Sequence, residues 1–205
     1  MKPKFSTLIA LTLLCAVLML PFALSPIYLD VLRARSFELH QFIRGEWYKQ
    51  VSGYATIAFI FVEMVLTVRK RSRGWKIWPK KLTMPGSVIL WRGIHIFAGV
   101  GLVAAVLIHT IGATGINFNA VFLWVFFGVT LSALVGVVAE TGVIESPRKV
   151  FSIGSAKVVE GKAAGISKGA LIRGMRAIWL PSHIFLVSVF FAMLTVHIFL
   201  VYYYR

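Results

Sequence analysis

Residues 5 to 29, FSTLIALTLLCAVLMLPFALSPIYL, carry no charged side chain, and four later stretches of similar length are nearly as apolar. A helix rises about 1.5 Å per residue, so a run near 20 residues spans the ~30 Å hydrocarbon layer of a bilayer. With 59% hydrophobic residues and a mean hydropathy of +0.83, the chain holds more apolar surface than a soluble core absorbs. The fold class these runs predict is an all-α integral membrane protein with five transmembrane helices.

The first span, residues 5–29, follows the basic start MKPK and is read as a retained helix, because the run exceeds an ordinary signal-peptide core. Residues 30–50 alternate charge with Leu32, Leu39, Phe42, Ile43 and Trp47 at helical intervals, as an interfacial segment would. The second span covers residues 51–68 and stops at RKRSRGWKIWPKK. Pro85 and Gly86 open the third, which runs to about residue 113, and Asn117 and Asn119 stand at the cap of the fourth, residues 117–143. Residues 145–168 read as a loop. An amphipathic lead-in, GALIRGMRAIWLPSH, then enters a fifth span that ends at VYYYR, with a kink expected at Pro181. Residues 1–50 thus form an N-terminal transmembrane helix with an outer interfacial segment, and residues 51–205 a four-helix core.

A net charge of +15 would suit nucleic acid, but the basic residues flank the spans, which points to anionic lipid and to topogenesis instead. Sixteen of them fall in the N-terminus, residues 69–81 and residues 145–176, against five on the opposite side. The positive-inside rule then places the N-terminus in the cytoplasm and the C-terminus outside, so spans three and five run in the same direction. Cys15 is the only cysteine, which excludes an internal disulfide, a cysteine-ligated iron-sulfur cluster and covalent CxxCH haem attachment.

Four histidines interrupt the apolar runs. His95 and His109 bracket HIFAGVGLVAAVLIH, and His183 and His197 bracket HIFLVSVFFAMLTVH, with the same spacing of 14 residues. At ~100° per residue both members of a pair project from nearly one helix face, ~21 Å apart along the axis. On co-directional spans, His95 falls level with His183, and His109 with His197. A lone intramembrane histidine is commonly an interhelical hydrogen-bonding group or part of a proton path. Two equal spacings point to ligation instead. A bare ion such as zinc needs more donors than two imidazoles supply, whereas haem brings four nitrogens and leaves two axial positions. Bis-histidine ligation leaves no open site, so electron transfer is the expected role.

The pattern resembles the di-haem four-helix core of membrane b-type cytochromes: the b subunit of cytochrome bc complexes and the transmembrane domain of ferric reductases and NADPH oxidases. The resemblance implies two noncovalent haems b, held by His95 with His183 and by His109 with His197. It also implies a place in a prokaryotic cytoplasmic membrane and exchange with the quinone pool. A peripheral redox partner, a multihaem c-type cytochrome or an iron-sulfur protein, follows from the lack of a flavin or nicotinamide domain after the fifth span. Glycines line the haem faces in the bc family. Here Gly128 and Gly142 repeat the 14-residue spacing, while Gly53 has Thr67 at the matching place. Residues 45–48, GEWY, resemble the PEWY of bc quinol sites but precede both histidine helices, so they read as an interfacial Trp and Tyr.

Glu63 is singled out as the intramembrane carboxylate, a group for proton relay at a quinone site or for pairing with Arg92. Arg92, one turn before His95, is placed to neutralise a haem propionate. Trp91 and Trp179 read as interfacial anchors, His40 as a surface histidine, and Gly99 as room beside a ring. The expected function is that of a di-haem cytochrome b subunit carrying electrons across the membrane. Its catalytic status as an enzyme is left open. The alternative is a haem-free transporter or assembly protein with a histidine proton path; a further one keeps both haems for subunit assembly alone.

Overall fold

The computed structural model describes residues 3–23, 27–72, 85–111, 116–151 and 165–203. These form helices α1 (Phe5–Ala23), α2 (Ile27–Arg35), α3 (Phe37–Arg44), α4 (Glu46–Ser72), α5 (Val88–Thr110), α6 (Phe118–Glu145) and α7 (Lys168–Tyr203). A two-residue strand β1 (Val150–Phe151) pairs antiparallel with β2 (Ile166–Ser167). Helices α1, α4, α5, α6 and α7 are long and apolar enough to cross a membrane, consistent with a multi-pass membrane protein. Large apolar side chains such as Val17, Phe61, Phe185 and Phe199 are exposed, the surface that hydrocarbon rather than water would cover.

Local chemistry sets most boundaries and corrects some. The first run is described as two helices, α1 to Ala23 and α2 from Ile27; residues 24–26 lie outside the described residues. The interfacial stretch becomes α2 and α3, and α4 starts at Glu46, earlier than the apolar run implies. Ser87 caps α5 by accepting from the Leu90 amide at 3.1 Å. Asn117 caps α6 as expected, its Oδ1 accepting from the Ala120 amide at 3.0 Å, whereas Asn119 lies inside the helix. At its other end α5 stops on Ile111 in the left-handed conformation (φ 51°), two residues past His109. The amphipathic lead-in and the fifth span are one helix: α7 runs unbroken through Pro181.

The chain divides into two compact units, Met1–Pro3 with Leu13–Trp124 and Lys4–Thr12 with Val125–Arg205. In the first, α4 and α5 pack along one another, and α3 packs against α2 and the start of α4. Arg69 does not belong to a solvated loop. It is buried at the end of α4, donates to the carbonyl oxygens of Pro85 and Gly86, and lies 5.8 Å from the Trp91 ring centroid. Trp91 in turn donates its indole N–H to the Pro85 carbonyl at 2.8 Å, so the two side chains pin the entry of α5 to the exit of α4.

In the second unit, Lys168 donates to the carbonyl oxygens of Ile144 (2.6 Å) and Ser146 (2.8 Å). Its ammonium thereby satisfies acceptors that the C-terminus of α6 leaves open, where a cation is also favoured by the helix dipole. The loop predicted over 145–168 is partly ordered by the β1–β2 pairing; its middle, residues 152–164, lies outside the described residues.

Candidate functional site

Each unit carries one histidine helix. On α5, His95 and His109 flank Leu102, and on α7, His183 and His197 flank Phe190; both central residues are buried. Spacings of seven residues bring successive side chains back to within ~20° of one face. The imidazoles therefore share the packed stripe of their own helix, and all four are half-buried.

The neighbouring helix supplies a polar partner to Nδ1 of three of these rings. Ser52 on α4 stands 3.0 Å from His109 Nδ1. Its hydroxyl also reaches the Tyr48 carbonyl oxygen at 2.7 Å, and with its proton there Ser52 Oγ can accept from His109 Nδ1–H. The same construction recurs in the second unit. Ser132 on α6 donates to the Val129 carbonyl at 2.8 Å and lies 3.0 Å from His183 Nδ1, placed to accept from it.

At His95 both partners are acceptors: the Glu63 carboxylate oxygen Oε2 at 2.7 Å and the Glu63 carbonyl oxygen at 3.2 Å. Only an Nδ1–H satisfies either. In all three rings Nδ1 is the nitrogen that meets the adjacent helix. A hydrogen bond from Nδ1–H to a neighbouring acceptor is the usual arrangement of a histidine that binds a metal through Nε2.

Space around the rings follows the glycines only in part. A Cβ on Gly53 would lie 3.2 Å from His109 Cε1, so glycine there admits the imidazole against α4. Around Gly128 no atom lies within 4 Å of the corresponding point, leaving room beside α6. Gly142, by contrast, is filled by the Phe5 ring, with an aromatic carbon 2.8 Å from the Cβ position. Its 14-residue spacing from Gly128 does not mark a shared open face. Gly99 faces the Glu63 carboxylate, its Cβ position 3.7 Å from Oε2.

Other sequence-predicted residues sit as follows. Arg92 is half-buried on α5, one turn before His95. Glu63 reaches His95, a pairing the sequence reading did not contain. Tyr48 of GEWY donates its hydroxyl to the Ile108 carbonyl at 2.9 Å, tying α4 to the turn that holds His109, while Trp47 is exposed. Trp179 is no simple interfacial anchor: its ring packs on Gly136, and its indole centroid lies 6.3 Å from that of His183.

Ser52, Ser132 and Glu140 were missed. Glu140 lies within α6, so Glu63 is not the sole intramembrane carboxylate. It is 1% exposed and accepts a short hydrogen bond from Arg176 on α7. Its position inside the fourth apolar run was the available signal.

Among the described residues no cluster of three or more His, Cys, Asp or Glu side chains is placed to hold a bare ion. No protein-family model matches the sequence, and comparison with curated proteins and with solved structures returns no match.

Proposed function

We propose that the chain is a membrane-embedded di-haem cytochrome b subunit, with His95 and His183 ligating one haem b and His109 and His197 the other. The observation that carries this reading is that His95, His109 and His183 each turn Nδ1 to a polar group on the adjacent helix, the orientation in which Nε2 would be the metal-binding nitrogen. Haem bound in this way supplies a one-electron iron couple with no open coordination site. The protein's contribution is orientation: Ser52, Ser132 and Glu63 hold each ring against rotation, and Gly53 lets His109 sit close to α4. Arg92, near the His95 level, offers a cation for a propionate.

The finer reading places the N-terminus and the basic segments in the cytoplasm of a prokaryote, where anionic lipid headgroups meet them. Electrons would be exchanged with a peripheral subunit, a multihaem c-type cytochrome or an iron-sulfur protein, and with the quinone pool. The haem-free alternative, a transporter or assembly protein with a histidine proton path, accounts for the same hydrogen bonds but requires no tetrapyrrole.

Protein purified in mild detergent separates the two. The di-haem reading expects a Soret band, reduced-state b-type absorbance and about two haems per chain by pyridine haemochrome assay. His109→Ala should lower that to about one, with the His95 haem retained. A wild-type protein without Soret absorbance overturns the reading.

A further inference from the structure

The three buttressed histidines are not equivalent. Nδ1 of His109 and of His183 meets a neutral serine hydroxyl, whereas Nδ1 of His95 meets a carboxylate oxygen at 2.7 Å. That carboxylate is largely shielded, with 16% of the Glu63 side chain exposed. Its second oxygen, Oε1, is buried without a hydrogen-bond partner among the described residues. Gly99, lacking a side chain, lets the carboxylate lie against α5 one turn beyond His95.

A half-satisfied buried carboxylate is costly unless positive charge stands near it. The imidazole ring it contacts is neutral when its lone pair is given to a metal. A ferric porphyrin core carries one net positive charge and a ferrous core none. The charge that would compensate Glu63 is therefore present in one oxidation state and absent in the other.

Resting on the di-haem reading, we infer that Glu63 is a positioning residue that sets the two haems apart in potential. By accepting from His95 Nδ1–H it makes the coordinated Nε2 a stronger donor and stabilises the ferric state of the haem that His95 holds. That haem is the lower-potential one, and an electron shared between the two rests on the His109 haem. The asymmetry gives the pair a direction that the matched 14-residue spacings do not.

Spectroelectrochemical titration of purified wild type and Glu63→Gln tests this without any turnover assay. The amide keeps an acceptor oxygen but removes the charge. The ferrous-to-ferric ratio of one haem at fixed applied potential should rise at least tenfold, a shift of about 59 mV for a one-electron couple, while the other haem stays in place. Glu63→Asp, which keeps the charge on a shorter stem, should shift the same haem less than Glu63→Gln.

Two haems with unmoved potentials in Glu63→Gln overturn the inference and leave the di-haem reading intact. Movement of the His109 haem instead, identified by its loss in His109→Ala, also overturns it. So does loss of the His95 haem from both variants, because a tuning group is dispensable for binding. A wild type that contains no haem removes the reading on which the inference rests.

Discussion

A serine in an apolar helix ordinarily returns its proton to a carbonyl one turn back, and both Ser52 and Ser132 do so. The same bond leaves each Oγ as an acceptor, and in both units a histidine uses it. Ser52→Ala or Ser132→Ala removes that acceptor and frees the ring to rotate. Loss of such a partner typically costs 10- to 100-fold in ligand affinity. On the proposed di-haem reading, each variant is therefore expected to release one haem on dilution in detergent, read from the fall in Soret absorbance, while the second haem stays bound. Ser52→Thr and Ser132→Thr keep the hydroxyl and should retain haem better than the alanine variants.

At the scale of elements, α6 and α7 meet through large side chains seated on small ones. A Cβ at Gly136 would lie 2.6 Å from Trp179 Cδ2, so Gly136→Val drives the indole off α6 and with it the helix segment that carries His183. Overpacking of this kind costs about 1–3 kcal/mol, and a lower Tm in detergent is the expected result. One turn on, Glu140 and Arg176 join the same two helices.

Arg176→Ala strands a buried carboxylate. Breaking a fully buried pair costs about 3–5 kcal/mol; with 50% of the Arg176 side chain exposed the loss is smaller, because solvent screens the pair. Adding Glu140→Gln to Arg176→Ala should recover part of the Tm, since no unpaired charge then remains buried. A double variant no more stable than the single one would show that the pair contributes through packing alone.

For the whole molecule, the distribution of basic residues predicts an orientation that the packing of helices does not. With Cys15 replaced by Ser, a single cysteine at position 203 (Tyr203→Cys) should react with a membrane-impermeant maleimide on intact cells. One at position 76 (Lys76→Cys) should react only after permeabilisation. The reverse pattern would place the basic segments outside and invert the expected lipid contacts.

The number of spanning-length helices was legible because it depends on apolar length, and the Asn117 cap because it depends on nearest neighbours. Arg69 was counted with the basic loop and Glu140 was passed over for one shared reason: the partner of each charge is not near it in sequence. Those partners lie 16 or more residues away for Arg69 and 36 away for Glu140.

What the sequence determined by itself is the stripe of imidazoles on each of two helices, because the ~100° turn per residue of an α-helix converts a spacing of 14 into a common face. What only the tertiary structure decided is the polar partner of three imidazoles. The atoms that meet Nδ1 belong to Ser52, Glu63 and Ser132, which lie 57, 32 and 51 residues from the histidines they meet. Their approach depends on how one helix is registered against another. No local pattern encodes that register, and it is set by side-chain packing along the whole contact.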